Sequence, residues 1–584
     1  MKFRMNLRLA AIREHLIDLY GEESGMDSFH KLTRLLDRSR HSLPLPRDVT
    51  FNQRSAILIT YADIVREDGR APLATLADFL KRHVGAAIPA VHLLPFFPSS
   101  SDDGFSVIDY KSVDPGNGEW ADIRALARDY DLMFDGVINH ISAHSAWFEK
   151  FLLADTAYRD YFITVSPGTD LSQVFRPRTL PLLTAFDTLE GQKQVWTTFS
   201  EDQVDLNYRN PEVLLDIIEV LLFYVQQGAI YIRLDAVAFL WKTPGTRCLH
   251  LPQTHTVIQL FRLIFDEVAP RTMIVTETNV PHEENISYFG NGENEAQIVY
   301  NFSLPPLVLH ALHEGDASVL TGWASRLAAP SARATFLNFL ASHDGIGLTP
   351  VRGLLSQAEI EALVSRCEAL DGEVSYRSNP DGSRSAYELN INYLDALRNP
   401  DHADDRPEHV AGRFLLSQSI LLALRGVPGI YFHSLFGSRG WPDGVEHTGR
   451  KRTINREKVQ LERVEADLNN PKSLRSRVFY PYLEMLRLRG TQERTAFSPQ
   501  GEQEVLEIDE RVFALRRSSP DGRDTVWCLS NVSDQPLTAF LNSTQLGAAG
   551  KRDYLDLIRK ARFPVGNDGG LSVPLGPYQA VWLV

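Results

Sequence analysis

The chain has 584 residues, more than one ordinary hydrophobic core organises, so two or three domains are expected. Hydrophobic residues make up 43% of the chain and charged residues 23%, which is typical of globular proteins. The formal net charge of -14 argues against a nucleic-acid-binding protein, because such proteins place Lys and Arg against phosphates.

Cysteine content and hydropathy give the expected compartment. Cys248, Cys367 and Cys528 are far apart and favour buried small side chains in a reducing environment over a disulfide framework or a metal site. No stretch reaches the roughly 18 apolar residues of a membrane span. The basic N-terminus has apolar runs cut by Arg and Glu, so no signal peptide is predicted. We therefore expect a soluble, cytoplasmic protein.

The first 50 residues are predicted to form a helical extension packed on the main body. Apolar residues from Leu9 to Leu36 recur at spacings of three and four, the pattern of an amphipathic helix. The segment His41-Ser-Leu-Pro-Leu-Pro46 is predicted to end this helical pattern, because proline cannot continue a helix.

Residues 51–495 show short apolar runs that alternate with helical patterns such as 211–227 and 255–268. Eight runs have the length and composition of buried strands: 56–61, 91–96, 132–138, 230–234, 273–276, 298–302, 335–340 and 429–432. Alternating strand and helix predicts an α/β fold with a parallel sheet, and eight units predict a (β/α)8 TIM barrel.

Two gaps between strands are too long for simple crossovers. Residues 141–208, after the third strand, are predicted to form an inserted B domain. Residues 345–425, after the seventh, contain a Gly/Ser/Asn/Asp-rich stretch at 371–385 and are predicted to supply a long binding loop. Alternating strand patterns from 496 to 584 predict a C-terminal antiparallel β domain.

Acidic and histidine side chains occur where four of the predicted strands end. Asp235 follows the fourth strand two residues after Arg233, which is expected to keep a nucleophilic aspartate ionised. Glu277 ends the fifth strand, where an apolar barrel mouth can raise the pKa of a general acid. Taken singly, a structural ion pair and a solvated glutamate explain these two residues equally well.

The third and seventh strands add further groups. Asp135 and His140 belong to the third strand, and His343 and Asp344 end the seventh. A lone histidine is more often a hydrogen-bonded core residue than a ligand. Because parallel barrel strands end on one face, the four segments together predict an active site with several carboxylates.

The segments Asp135–His140, Ile232–Asp235, Glu277, His343-Asp344 and Gln203–Asn207 resemble, in order and spacing, the conserved regions of the α-amylase family of glycoside hydrolases. Further segments, among them Leu93–Pro98, Phe175–Arg178 and Ile454–Arg456, resemble its sucrose-phosphorylase branch. The resemblance implies that Asp235 is the nucleophile, Glu277 the acid/base and Asp344 the transition-state stabiliser. It also implies that the glucosyl unit is bound by Asp102, Phe105, His140, Arg233, His343 and Arg456.

Binding of phosphate and of the acceptor is predicted for a second set of residues: Arg178, Arg377, Arg384, Tyr387 and Glu388. Phosphate needs cations beside the catalytic carboxylates, although the two loop arginines are equally compatible with plain solvation. Tyr387-Glu388 differs from the Tyr-Gln of sucrose phosphorylases. This difference and the N-terminal extension resemble the branch that acts on glucosylglycerol, glucosylglycerate or sucrose 6-phosphate. Glu388 would repel a glycerate carboxylate unless Arg377 or Arg384 screened it, which favours glucosylglycerol.

The expected function is that of a retaining α-glucoside phosphorylase, with 2-O-α-glucosylglycerol as the best candidate substrate. Glucosylglycerate phosphorylase and sucrose or sucrose 6-phosphate phosphorylase are the alternatives within the branch. A hydrolase or transglucosidase on the same barrel, and a carbohydrate-binding protein on an inactive barrel, are the rivals outside it. The resemblance implies no metal and no organic cofactor, with phosphate as a substrate, and a monomer or homodimer.

Overall fold

A closed barrel of eight parallel strands forms the centre of the molecule in the computed structural model, which describes residues 7–43, 50–328, 330–379, 381–399, 406–547 and 551–584. In chain order the strands are β1 (Ile57–Thr60), β2 (Ala90–Leu93), β3 (Asp131–Gly136), β4 (Ala229–Leu234), β5 (Met273–Thr276), β6 (Ile298–Tyr300), β7 (Thr335–Asn338) and β8 (Val427–Tyr431). Each strand pairs with its neighbours in sequence, and β8 closes on β1 with Gly429 opposite Ile57. All eight predicted strands and the (β/α)8 architecture are confirmed.

Helices surround the barrel and follow the strands as predicted. They are Pro72–His83, Trp120–Leu126, Pro211–Gln226, Pro252–Val268, His282–Ile286, Leu304–Glu314, Pro407–Ala423 and Leu474–Arg489. Proline in the first turn starts several of them, because its missing N–H is not needed there. At one of these starts the Asn210 side chain also accepts a hydrogen bond from the Glu212 N–H, at 3.0 Å. Among the described residues, no helix is long and apolar enough to cross a membrane.

The N-terminal extension consists of two helices, α1 (Leu7–Tyr20) and α2 (Glu22–Ser39). Their buried apolar residues face the barrel helices Pro252–Val268 and Pro211–Gln226. The Tyr20 hydroxyl donates a hydrogen bond to the Tyr208 carbonyl at 3.0 Å, just before the second of those helices. The prolines that are predicted to end the helical pattern, Pro44 and Pro46, lie outside the described residues.

The two long gaps carry short elements on the side of the barrel where the strands end. The 141–208 gap contains helix Ala146–Leu152, the antiparallel hairpin Leu183–Thr188/Gly191–Trp196 and strand Gln203–Asp205, which pairs with His140–Ser142. The 345–425 gap contains helix Gln357–Ala369 and the hairpin Glu373–Ser378/Arg384–Asn390, which adds Ile346–Gly347 as a third strand. The polar stretch 371–385, predicted as a loop, is therefore largely β structure. The barrel helix Pro407–Ala423 ends the same gap.

The chain ends in antiparallel sheets, as predicted for this region. The largest has the order Glu502–Leu506, Val512–Ser518, Thr525–Asn531 and Ala580–Leu583; Leu537–Leu541 pairs with Leu571–Leu575, and Asp553–Leu555 with Arg562–Pro564. These antiparallel sheets agree with the alternating strand patterns of this region. Remaining short elements are Val65–Arg66 with Val459–Gln460, and helices Ser318–Ala324, Tyr393–Ala396, Phe432–Leu435, Pro442–Thr448, Leu461–Asn469 and Ser543–Leu546.

Candidate active site

The ends of β3, β4, β5 and β7 bring the predicted carboxyl groups to one open pocket. Asp235, Glu277 and Asp344 all line it. In the register of the barrel, Asp135 on β3 lies opposite Arg233 on β4, and Leu234 lies opposite Thr276 on β5. The side chains therefore converge because neighbouring parallel strands end together, as the sequence predicts.

One buried guanidinium connects the groups on the first three of these strands. Arg233 Nη1 donates to Asp235 Oδ1 at 2.9 Å and also pairs with Asp135, while its Nη2 lies 3.9 Å from Glu277 Oε2. His92 Nε2 lies 2.7 Å from the other oxygen of Asp135. Arg233 is thus shared among three carboxyl groups, and each receives only part of its charge.

Burial raises the pKa of both carboxyl groups that are candidates for the chemistry. It raises the pKa of Asp235 to about 6, against the opposing effect of Arg233 and with help from Asp135 and Asp344. It raises the pKa of Glu277 to about 7, again against Arg233, and the charges of Asp235 and Asp344 add to the rise. The expectation that Arg233 alone fixes the ionisation of Asp235 is thus incomplete, because burial has the larger effect. Because the two carboxyl groups interact, their ionisations belong to the pair.

A left-handed turn after β4 orients Glu277. Ala236 has φ +49°, a backbone conformation that residues other than glycine rarely adopt. Its backbone N–H donates to Glu277 Oε2 at 3.1 Å. This strained residue directly follows Asp235, so one backbone turn places both carboxyl groups.

Asp344 has a different electrostatic environment from the other two. Burial alone would raise its pKa, but Arg452, His343 and Arg456 outweigh burial and hold the pKa well below its usual range. Arg452 Nη1 lies 2.6 Å and Arg456 Nη2 3.3 Å from Asp344 Oδ1. Asp344 is therefore an anion throughout the physiological range.

The predicted glucosyl-binding residues surround the same carboxyl groups. Asp102, Phe105, His140 and His343 line the pocket. The rings of Phe105 and His343 stack with centroids 4.9 Å apart and planes 4° apart. His140 Nε2 lies 2.9 Å from the Phe105 carbonyl oxygen. Burial lowers the pKa of His343 to about 3 and also lowers that of His140, so both rings are neutral at pH 7.

Arg233 and Arg456 lie behind the pocket surface and act through the carboxylates they contact. Arg456 Nη1 is 3.5 Å from Asp102 Oδ1 and 2.5 Å from Asp103 Oδ2, and its Nε donates to the His343 carbonyl at 2.9 Å. Asp103 is not among the predicted residues, although it adjoins Asp102 in the sequence.

The residues predicted to bind phosphate and the acceptor differ in whether they line the pocket. Arg178, Tyr387 and Glu388 line the pocket. Arg377 lies beside it, with its guanidinium carbon 5.2 Å from the ring centroid of Phe175, a lining residue. Arg384 is exposed on the hairpin and does not line the pocket, so its position gives its predicted role no support.

Glu388 is paired with an arginine that sequence reasoning missed. Its side chain is buried, and its two oxygens accept hydrogen bonds from Arg452 Nε at 2.9 Å and Nη2 at 2.5 Å. Arg452 thus connects Glu388 to Asp344. The expected repulsion between Glu388 and an acidic acceptor is weakened, because a bidentate guanidinium that also binds Asp344 partly compensates its charge. No local pattern in the sequence indicated Arg452, which lies 64 residues from Glu388 along the chain.

A buried lysine, also missed, stabilises the end of β3. Lys242 Nζ lies 2.5 Å from Asp205 Oδ2 and donates to Asn139 Oδ1 at 2.7 Å. Asn139 Nδ2 in turn donates to Asp205 Oδ2 at 3.1 Å, and it lies 3.2 Å from His140 Nδ1. The loop after β4 is thus tied to the segment that carries His140.

Comparisons with known proteins agree with this geometry. A family model described as the catalytic domain of α-amylase matches residues 77–344. The chain is 50% identical over 581 residues to the glucosylglycerate phosphorylase of Spirochaeta thermophila, covering 98% of both chains. It is 29% identical over 428 residues to the glucosylglycerol phosphorylase of Marinobacter adhaerens, covering 71% of this chain and 84% of that protein.

A solved structure shares the fold. The sucrose 6F-phosphate phosphorylase from Thermoanaerobacter thermosaccharolyticum matches with a TM-score of 0.71 at 24% identity, covering 89% of this chain and 97% of that one. The family model and the relative that matches along the whole chain show that the chain belongs to the α-amylase family, as the resemblance of its motifs implies. Within that family it is an enzyme of the glycosyltransferase-type phosphorylases.

Proposed function

We propose that the protein catalyses the reversible phosphorolysis of an α-glucoside of glycerate, giving α-glucose 1-phosphate and free glycerate. The observation that carries the choice of acceptor is the bidentate Arg452–Glu388 pair, which weakens the electrostatic objection to an acidic acceptor. The identity of 50% to a glucosylglycerate phosphorylase along the whole chain supports the same choice. The glucosylglycerol preference predicted from the sequence is not confirmed, and glycerate, one of its alternatives, replaces it.

The proposed mechanism proceeds through two displacements at the anomeric carbon. The Asp235 carboxylate attacks this carbon while the Glu277 carboxyl protonates the glycosidic oxygen, so glycerate leaves and a β-glucosyl ester forms on Asp235. A phosphate oxygen then attacks the same carbon, the ester bond breaks, and Glu277 takes up the proton that phosphate releases. Two inversions give net retention and α-glucose 1-phosphate.

Asp344 is proposed to stabilise the positive charge that develops on the sugar ring. Its low pKa keeps it anionic, and Arg452 and Arg456 fix its position. A fixed anion that interacts most strongly with the transition state lowers the barrier without tightening ground-state binding. Carboxylates and phosphate suffice for every step, so the proposal requires no metal and no organic cofactor.

Synthesis from α-glucose 1-phosphate tests the acceptor. The purified enzyme is supplied with α-glucose 1-phosphate and glycerate, glycerol, fructose or fructose 6-phosphate, and the phosphate released is measured. We expect glycerate to give the highest kcat/KM. A higher value with glycerol would restore the glucosylglycerol assignment, and glucose release independent of acceptor and phosphate would indicate a hydrolase.

A further inference from the structure

Two arginines beside the acceptor end of the pocket have no ion-pair partner among the described residues. Arg352 follows β7 by fourteen residues, and Arg377 lies on the hairpin strand Glu373–Ser378. The Nε atom of each is buried and makes no hydrogen bond. Among the described residues, the one side-chain hydrogen bond of Arg352 is a long contact of 3.4 Å from Nη2 to the Ala386 carbonyl. Arg452, another half-buried arginine of the pocket, binds two carboxylates.

Both side chains lie against residues that form the pocket wall. Arg377 stacks on Phe175, and Arg352 binds the carbonyl of Ala386, the residue before Tyr387. Phe175 and Tyr387 both line the pocket. Arg247 approaches the same Phe175 ring at 5.9 Å, but it is paired with Glu284 at 3.3 Å.

The like charges of Arg352 and Arg377 and the burial of both side chains disfavour placing these two guanidinium groups together. Burial lowers the pKa of Arg352, and burial together with the charge of Arg352 lowers that of Arg377. Two neighbouring, partly desolvated guanidinium groups without a counter-charge are stabilised when an anion binds between them. Arginine also matches the two oxygens of a carboxylate geometrically.

We propose that Arg352 and Arg377 form an anion site beside Phe175 and Tyr387 that receives the carboxylate of the acceptor. The proposal rests on the proposed function and adds Arg352, which is not among the residues predicted from the sequence, as a determinant of acceptor specificity. Arg178, which lines the pocket itself, remains available to phosphate. The pair offsets the repulsion that the catalytic carboxylates exert on an acidic acceptor.

The test compares an acidic acceptor with a neutral acceptor of similar size. Synthesis from α-glucose 1-phosphate is measured with glycerate and with glycerol for the wild type and for Arg352→Gln, Arg377→Gln and Arg352→Lys. Each glutamine variant is expected to lose about 10- to 100-fold in kcat/KM with glycerate, the range for a charge-assisted hydrogen bond, and to keep its rate with glycerol. Arg352→Lys is expected to retain part of the preference for glycerate.

Two controls separate this site from folding and from phosphate binding. Arg128→Gln changes an exposed arginine just before β3, at the opposite end of the barrel, and is expected to change neither rate. Exchange of labelled phosphate into α-glucose 1-phosphate needs no acceptor, and the Arg352 and Arg377 variants are expected to retain it.

Each contrary result has a distinct meaning. Unchanged glycerate kinetics in both glutamine variants would overturn the proposal, and so would equal losses with glycerate and glycerol. Loss of phosphate exchange to the same extent as glycerate synthesis would assign the pair to phosphate instead. A wild-type enzyme that ignores glycerate but uses another acceptor would overturn the proposed function itself.

Discussion

At the scale of single residues, the site separates three carboxyl groups by their surroundings. Asp235 and Glu277 share one guanidinium and lie in a desolvated barrel mouth, so burial dominates and both pKa values rise. Asp344 has two guanidinium groups within 3.3 Å and stays anionic. The same functional group, a carboxyl, therefore suits different roles because of its neighbours. This is a general route to acid and base chemistry at one pH.

The pH profile of kcat/KM for phosphorolysis follows from these ionisations. The proposed mechanism requires Asp235 ionised and Glu277 protonated. Activity should fall as the pH drops through about 6, where Asp235 gains a proton, and as it rises through about 7, where Glu277 loses one. The expected profile is a bell whose limbs report the coupled pair.

The Glu277→Gln variant distinguishes the acidic limb of the pH profile from the alkaline limb. With a fluoride leaving group, which needs no protonation, the variant should keep the acidic limb and lose the alkaline one. Initial rates with α-glucosyl fluoride and phosphate across the pH range provide the measurement. An alkaline limb that persists in Glu277→Gln would exclude Glu277 as its source.

At the scale of elements, buried ion pairs hold the loops against the barrel rim. Lys242, on the loop after β4, bonds Asn139 after β3 and Asp205 at the end of the first insertion. Thr198 also donates to Asp205 from its N–H at 2.8 Å and from its hydroxyl at 2.7 Å. The sequence predicts the elements that meet here, but it does not predict this contact because its members lie up to 103 residues apart.

Lys242→Met should destabilise the protein more than the matching double variant. Removing the ammonium leaves a buried Asp205 without its counter-charge, a change that typically costs about 3–5 kcal/mol. Lys242→Met/Asp205→Asn removes both charges and should recover much of that loss. Denaturant unfolding measures the free energies; equal losses in the two variants would show that the charge pair is not the cause.

At the scale of the whole molecule, the sequence predicts the barrel almost completely and the acceptor site only in part. Apolar strand runs and helical periodicity depend on local pattern, so the eight barrel strands are evident from the sequence. The hairpin Glu373–Ser378/Arg384–Asn390 is not, because its polar residues match a loop pattern. The donor half of the site follows, because strand ends in a parallel barrel meet on one face. The acceptor half depends on Arg452 reaching Glu388 across 64 residues, and no local pattern encodes that contact.

The stereochemistry and phosphate dependence of glucosylglycerate cleavage test the central claim most directly. Products are followed by NMR from the first turnovers, with and without phosphate. We predict that α-glucose 1-phosphate and glycerate form together and that the α anomer appears first. The Asp235→Asn substitution is expected to lower kcat by about a thousandfold or more. Initial formation of the β anomer, glucose release that ignores phosphate, or full activity of Asp235→Asn would contradict it.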